Sequence, residues 1–448
     1  MVVEERERQA LRDGADCQDR SGDMHMVHPV IAQPVGPRPL PGRPRARAIL
    51  GGLLALAVVA AGTAPAAAQD GASGEGETRA GTIEAQQKAK AGDLKPYAPN
   101  KAEVWVKKLE EQFLTGNMNW HPWFTSAYPG GGFTVGAGYL SHVGSYETID
   151  VRGSYTFSNY KRIESEFVAP RLFGRRGRLS VLGGWREAPQ VNFFGVGNDS
   201  AQEGLSNYGF RQPYGAALLE VRPTRGVLVT SAGAEISQWD QFAGEGSSPS
   251  VDTLYGDLNG LGAKITYLHT QATVALDSRA SAEYARRGGF YGVTIHNYAD
   301  RDDAYTFNQV DYEAIQHIPI LRDAWVLSLR GRVQTTMREG DEQVPFFLLP
   351  GLGSGSTLRG YQNLRFRDRH SLLMQAEWRV LVNSFIDAAI FFDAGKVAAR
   401  KADLDLNDLH SDVGIGFRLH GPFSTPLRIE LARGSEGFNL VFGASASF

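Results

Sequence analysis

The amino-acid sequence predicts an all-β fold, a transmembrane antiparallel β-barrel of about sixteen strands. Three observations lead to this fold class. The chain carries an export signal near its start, its apolar and polar residues alternate in long runs, and it ends in an aromatic residue, Phe448. Runs of about ten alternating residues match strands that cross a bilayer at a tilt of about 45°.

The export signal is a basic segment followed by an apolar one. The arginine-rich stretch RPLPGRPRAR, residues 38–47, precedes an apolar run at 48–62 that ends in small residues. A signal peptide has this order of basic flank, apolar stretch and A-x-A-like cleavage site. A transmembrane helix would need about 20 apolar residues. We therefore predict cleavage after Ala68; Met24 and Met26 are alternative starts.

Composition excludes several classes of function. Lys and Arg number 46 against 49 Asp and Glu, a balance that gives no reason to expect a nucleic-acid partner. The single cysteine, Cys17, lies in the predicted leader, so we expect no disulfide and no cysteine-based metal site in the mature chain. Neither a G-x-S-x-G nor an H-E-x-x-H motif appears. We expect no enzymatic activity, no cofactor and no bound metal.

Alternation with period two is clearest in the last part of the chain. In SLLMQAEWRV, residues 371–380, the even positions are apolar and Glu377 stands on the polar face. In FIDAAIFFDAG, residues 385–395, Asp393 stands on the polar face in the same way. Successive side chains of a strand point to opposite faces. A polar face suits an aqueous lumen and an apolar face suits lipid, so the mean hydropathy of −0.27 does not indicate a soluble protein.

Similar segments elsewhere bring the total to about sixteen strands, an even number as in bacterial barrels. Besides 371–380 and 385–394, the predicted strands are 133–142, 147–157, 161–169, 178–187, 207–221, 227–238, 258–269, 272–279, 289–298, 307–316, 324–334, 412–420, 427–432 and 437–448. A soluble sandwich also alternates, but its strands are nearer five or six residues. We expect the sheet to close, because an open edge in hydrocarbon would leave backbone N–H and C=O groups unpaired.

The predicted domains are the extension and signal peptide at 1–68, a short periplasmic tail at 69–130 and the barrel at 131–448. The first part of the tail is polar and poor in bulky apolar residues, which is typical of a loosely ordered segment. Residues 100–114, NKAEVWVKKLEEQFL, have apolar residues at roughly helical spacing. We predict a short helix there that packs against the barrel rim.

The stretch TLRGYQNLRFRD, residues 357–368, resembles the V/L-R-G-F/Y element of the BamA/TamA-type outer-membrane assembly superfamily, the bacterial surface antigen barrels. LLMQAEWRV and AIFFDAGKV resemble the strands that carry the family's inward acidic residues. FFGVGNDS, residues 193–200, resembles a loop common among the shorter members.

This resemblance implies that a long extracellular loop folds back into the barrel. Arg359 is then expected to meet Glu377 and Asp393 on the lumen wall through charge-assisted hydrogen bonds. Gly360 lets the backbone turn tightly, and Tyr361 packs against the inner wall. We call these five residues the loop lock. It either takes a direct part in transport or only keeps the barrel plugged and folded.

The last strand, with Phe438, Leu440, Phe442 and Phe448 on its apolar side, is similar to the sorting signal of outer-membrane barrels. The resemblance therefore places the chain in the bacterial outer membrane, among lipids that include lipopolysaccharide. Assembly factors of this superfamily usually carry POTRA domains, which receive clients. Residues 69–130 show no β-α-α-β-β pattern, so the sequence predicts a short member without them.

Two functions remain open at this point. The first is insertion or export of unfolded outer-membrane protein clients through a weak seam between the first and last strands. The alternative is a passive outer-membrane pore or a structural surface antigen. A fold by itself does not decide between them, although a loop folded into the lumen would obstruct a pore.

Overall fold

The computed structural model describes residues 88, 119–224, 226–321, 323–338, 343–421, 424–443 and 448. The predicted signal peptide and the predicted helix at 100–114 lie outside these residues. Within the described part of the chain, no helix is long and apolar enough to cross a membrane.

In the described residues, sixteen strands form one antiparallel sheet in chain order, except that β11 pairs with β14 across the two short strands β12 and β13. They are β1 (Trp120–Pro122), β2 (Thr134–His142), β3 (Thr148–Thr156), β4 (Lys161–Arg171), β5 (Gly177–Phe193), β6 (Ser206–Val221), β7 (Leu228–Ala243), β8 (Lys264–Asp277), β9 (Gly288–Asp300), β10 (Phe307–Leu321), β11 (Trp325–Met337), β14 (His370–Asn383), β15 (Ile386–Ala398), β16 (His410–Leu419), β17 (Leu427–Gly434) and β18 (Gly437–Gly443).

Shorter elements lie in the connections. β12 (Gly351–Leu352) pairs with β13 (Phe366–Arg367) inside the long connection between β11 and β14. The helical segments are α1 (Leu172–Arg175), α2 (Val251–Leu254) and the 3₁₀ turns Gln202–Gly204, Phe346–Leu348 and Lys401–Asp403.

Period-two alternation explains why these segments are membrane-crossing strands. On β14, Gln375, Glu377 and Arg379 are buried on the lumen side, whereas Trp378 between them is 39% exposed on the lipid side. On β15, Asp393 is fully buried. The predicted all-β transmembrane barrel with an inward-folded loop is confirmed.

The predicted number of strands agrees with the structure only because two errors cancel. The sequence predicts two strands, at 258–269 and 272–279, where the structure has the single strand β8. The polar residues His269 and Gln271 lie at the predicted break, but both are buried, lumen-facing residues of one continuous strand. The sequence analysis missed β1, whose three residues are too few to show alternation and which precedes the predicted barrel start at 131.

The connections differ between the two ends of the barrel. The long connections that follow β5, β7, β11 and β15 lie at one end, which we call the loop end. Those that follow β2, β6, β10 and β14 are short and lie at the opposite, turn end. Outer-membrane barrels have long extracellular loops and short periplasmic turns, so the loop end is the extracellular one.

The two ends of the sheet are β1 and β18. Among the described residues no pairing joins these two strands, and β18 is described as a strand only as far as Gly443. β1 has 3 residues, whereas β5 has 17. The boundary between β1 and β18 is therefore the least paired part of the sheet that the structure describes.

Candidate functional site

Residues 343–369 of the connection between β11 and β14 fold into the lumen from the loop end, and we call them the inward loop. Its 3₁₀ turn Phe346–Leu348 and its β12–β13 hairpin are buried. One part of the loop contacts aromatic side chains of the N-terminal half of the barrel. The other part contacts charged side chains of β14–β18.

Arg359 is the centre of the charged contacts, and its side chain is fully buried. Its Nε and Nη2 atoms donate to the two carboxylate oxygens of Asp393 at 2.7 and 2.8 Å. Its Nη1 atom donates to Glu377 at 2.8 Å and to Glu430 at 3.1 Å. The guanidinium carbon also lies 3.4 Å from the ring centroid of Phe391. A single arginine of the loop is thus bound to β14, β15 and β17.

Two further arginines balance these carboxylates. Arg418 on β16 donates to both oxygens of Glu377 and, at 2.9 Å, to Glu430. Arg428 on β17 has its Nη1 atom 3.3 Å from Glu430 and donates from Nη2 to the carbonyl of Gly355 at 3.1 Å. Buried charges are stable only when they are paired and hydrogen-bonded. The network provides this pairing and joins four consecutive strands to the loop.

Gly360 allows the loop to approach the wall closely. A Cβ atom at this position would lie 2.5 Å from the Cβ of Asp412 and 2.7 Å from the backbone nitrogen of Gly434. Tyr361 then reaches the loop end of the barrel, where its hydroxyl donates to the carbonyl of Ser411 at 3.2 Å. The loop backbone is held as well, because Asn439 on β18 donates to the carbonyl oxygen of Arg359 at 2.8 Å and to that of Tyr361 at 3.1 Å.

The structure brings all five loop-lock residues together. Sequence reasoning missed Arg418, Arg428, Glu430 and Asn439, which complete the site. The signal was present, because each of them stands on the polar face of its strand, as Glu377 does. The resemblance pointed to two acidic residues only, and the alternation pattern does not indicate which inward side chains meet across the lumen.

The residues predicted for the sorting strand divide into two groups. Phe438 is 70% exposed and Leu440 is 41% exposed, as expected for lipid-facing side chains, and Phe442 is half-buried. Phe448 differs from the prediction, since its ring lies 6.4 Å from that of His317, a buried side chain of the inner wall. Strand alternation sets the direction of a side chain only within the strand, and the structure describes β18 as a strand only over Gly437–Gly443.

The aromatic contacts hold the other part of the inward loop. Phe347 is fully buried, with its ring 5.4 Å from that of Trp239 on β7. Phe346 lies 4.9 Å from Tyr208 on β6 in an edge-to-face arrangement, a geometry that aromatic pairs favour. Arg367 of the loop donates to the Tyr208 hydroxyl at 3.1 Å. The loop therefore crosses the lumen and contacts both halves of the barrel.

A second segment enters the lumen from the turn end. In the β8–β9 connection, the Tyr284 hydroxyl donates to Asp387 on β15 at 2.8 Å. Arg379 on β14 donates to the carbonyl of Ala285 in the same connection, and its Nε lies 3.7 Å from Glu377 of the loop lock. Contacts on β14 thus run from the inward loop to the turn end.

No group of three or more His, Cys, Asp or Glu side chains that could hold a metal ion occurs in the described ranges. What the site can do follows from its charge and its connectivity. It fixes an inserted loop to the lumen wall.

Comparison with known families decides which barrel this is. Residues 143–448 match the model of the Omp85 superfamily domain. The chain belongs to the Omp85 superfamily. The resemblance found in the sequence is confirmed, and with it the location in the bacterial outer membrane. The chain is therefore an outer-membrane barrel of the assembly or translocation type.

One solved structure shows the same fold, and two others are more distantly similar. BamA from Haemophilus ducreyi, determined without POTRA domains 1-3, superposes with a TM-score of 0.54 at 13% identity, over 73% of this chain and 69% of that one. CdiB from Acinetobacter baumannii gives a TM-score of 0.44 at 11% identity, over 69% and 55% of the two chains. CdiB from Escherichia coli gives 0.45 at 11%, over 69% and 56%. No curated protein sequence matches the chain.

Proposed function

We propose that this Omp85 barrel inserts or exports other polypeptides at the outer membrane through the boundary between β1 and β18. The observation that carries the proposal is the weak pairing at this boundary. β1 has 3 residues, whereas the strands β5 to β11 in the middle of the sheet have 13 to 17. Opening the barrel there breaks fewer hydrogen bonds than opening it between any two long strands.

A strand edge at this boundary suits an unfolded client. Unpaired N–H and C=O groups along an edge pair readily with an extended chain, which adds to the sheet as a further strand. Within hydrocarbon such groups are costly until they are paired. A client strand that pairs with β18 or with the part of β2 beyond β1 would satisfy them and enter the membrane as part of a sheet.

The loop lock supports this function by stiffening one side of the opening. Arg359 is bound to Glu377, Asp393 and Glu430, so β14, β15 and β17 are held together from inside. Strain is then expected to concentrate at the β1–β18 boundary. In this proposal the lock positions the wall that a client pairs with and does not itself contact the client.

The proposed surroundings and clients follow from the superfamily. We propose unfolded outer-membrane proteins as the clients and lipopolysaccharide and phospholipid as the lipids that surround the barrel. A passive open pore is not favoured, because the inward loop enters the lumen from the loop end and the β8–β9 connection enters it from the turn end.

The test is the rate at which an unfolded outer-membrane barrel client inserts into liposomes. We expect the full chain to accelerate insertion over empty liposomes, and we expect Arg359→Ala, refolded and checked for β-structure by circular dichroism, to accelerate it less. Arg301→Ala is the matched control, since this arginine is exposed in the β9–β10 connection.

If the wild-type chain leaves the insertion rate unchanged, the proposed function is wrong. Conductance across planar bilayers then separates the alternatives. A steady, large conductance would identify a pore. The absence of conductance would favour a structural surface protein.

A further inference from the structure

The turn end of β4–β7 carries a dense group of arginines. The segment α1 joins β4 to β5, and the next turn at this end joins β6 to β7. The two turns are hydrogen-bonded to each other, because the backbone N–H of Arg222 donates to the carbonyl of Arg176 at 2.7 Å. The side chain of Arg176 in turn donates to the carbonyl of Pro223 at 3.3 Å. Their exposed cationic side chains are therefore held close together.

An exposed aromatic ring lies beside these charges. Phe173 in α1 is 64% exposed. A Cβ atom on Gly177 would lie 2.5 Å from a carbon of its ring, so the ring lies over that residue. Gly177 and Val181 are four residues apart on β5 and therefore lie on the same face of the strand. Val181 is 42% exposed, on the lipid-facing side. The Phe173 ring is thus on the outer, lipid-facing side of the rim.

The backbone of α1 is shaped to present this ring. Three consecutive residues, Phe173, Gly174 and Arg175, have positive φ values of 51°, 67° and 69°. Non-glycine residues seldom adopt this conformation, and for a bulky side chain it is strained. Arg171, the last residue of β4, stacks on Tyr146 with its guanidinium carbon 3.5 Å from the ring centroid. A strained turn that exposes a large apolar ring in water brings no gain in stability, but the ring is stabilised within a membrane interface.

The charge of this region is positive. Residues 167–178 include four arginines and no acidic residue. Two carboxylates lie near Arg222: that of Glu220 on β6 at 3.4 Å and that of Asp277, the last residue of β8, at 4.0 Å. These carboxylates lie against Arg222, whereas residues 171–176 contribute three arginines and no carboxylate to the rim.

We propose that the basic rim, made of Arg171, Phe173, Arg175, Arg176 and Arg222, binds the headgroup of an anionic glycerophospholipid in the leaflet at the turn end. Guanidinium groups bind phosphate oxygens through paired hydrogen bonds. Groups of four or more basic residues at a membrane surface favour anionic lipids. Phe173 packs among the acyl chains next to the bound headgroup, as aromatic residues do at the interface. A soluble partner protein would not require an aromatic ring on the lipid-facing side.

The test is competitive lipid retention by the full chain. The protein is purified in detergent with equal amounts of phosphatidylglycerol and phosphatidylcholine, and bound lipid is counted by native mass spectrometry. We expect the wild type to retain phosphatidylglycerol preferentially. The triple variant Arg175→Gln, Arg176→Gln, Arg222→Gln should lose the preference by about tenfold or more, since each basic residue near a membrane surface adds to the attraction.

Two controls separate charge from folding. The variant Arg301→Gln, Arg338→Gln, Arg400→Gln removes the same charge from exposed loop-end positions and should keep the preference. Lysine at the three rim positions should largely restore it. If the glutamine variant does not fold, Arg175→Gln alone should still reduce the retained ratio. An unchanged ratio in the rim variants, no preference in the wild type, or stronger retention of lipid A offered in place of phosphatidylglycerol would overturn the proposal.

Discussion

Arg359 donates to both carboxylate oxygens of Asp393, from Nε at 2.7 Å and from Nη2 at 2.8 Å. The two residues are 34 positions apart in the chain, and neither side chain has any exposed surface. A bidentate pair of this kind fixes orientation as well as distance. It therefore sets the position of the inward loop against β15.

Replacing Arg359 should destabilise the barrel strongly. Arg359→Ala leaves the carboxylates of Asp393, Glu377 and Glu430 buried with one cation fewer, and breaking a buried ion pair from one side costs about 3–5 kcal/mol. Arg359→Lys retains the charge but not the paired hydrogen bonds, so its loss of stability should lie between those of the wild type and Arg359→Ala. The measurement is urea unfolding in detergent micelles, with Arg301→Ala as the exposed control. Equal midpoints for all of these proteins would contradict the role of the network.

Gly360→Ala should prevent the loop from docking fully. The added methyl group would lie 2.5 Å from the Cβ of Asp412, and overpacking of this kind costs about 1–3 kcal/mol. We expect faster protease cleavage within the inward loop. Gly331→Ala is the matched control, because a Cβ there meets nothing within 4 Å. If both variants are cleaved at the wild-type rate, close approach at residue 360 is not a constraint.

Phe347→Ala should weaken the opposite attachment of the loop. The ring is fully buried against Trp239, and truncating a buried phenylalanine costs about 3–5 kcal/mol. Phe392→Ala removes a lipid-facing ring that is 48% exposed and should have a smaller effect in detergent. Unfolding midpoints of the two variants measure the difference. A larger loss for Phe392→Ala would mean that the aromatic contacts in the lumen contribute little.

Asp368, in the part of the inward loop that precedes β14, should make stability depend on pH. Burial raises the pKa of Asp368 above its usual range, and the hydrogen bond that its carboxylate accepts from the N–H of Arg369 at 2.7 Å opposes that change only in part. A raised pKa means that the folded state holds the proton more tightly than the unfolded state, so stability falls as pH rises through the folded pKa. Asp368→Asn should therefore be more stable than the wild type at pH 8.

The difference should shrink as the pH is lowered from 8 toward 4, because the wild-type carboxyl takes up a proton more readily in the folded chain than in the unfolded chain. Unfolding midpoints at the two pH values provide the measurement, and Asp302→Asn, at an exposed position in the β9–β10 connection, is the control. A constant difference between Asp368→Asn and the wild type across this range would show that ionisation of Asp368 is not the cause.

Much of the wall could be predicted from the sequence because alternation is a local property. Glu377 and Asp393 are placed on inward faces by counting along single strands, with no knowledge of their neighbours. β8 was divided in the prediction because a polar lumen makes polar residues normal inside a strand, and a local reading takes them for a turn. β1 was missed because pairing with β2, rather than its own pattern, makes it a strand.

The sequence by itself determined that this chain forms an outer-membrane barrel, because lipid on one side and water on the other impose a period of two on every long strand. Only the tertiary structure decided what meets inside it. The contacts of Arg359 with Glu430, of Tyr284 with Asp387 and of Phe448 with His317 join residues far apart in the chain. They depend on sheet curvature and on the path of inserted loops, and no local periodicity encodes either of these.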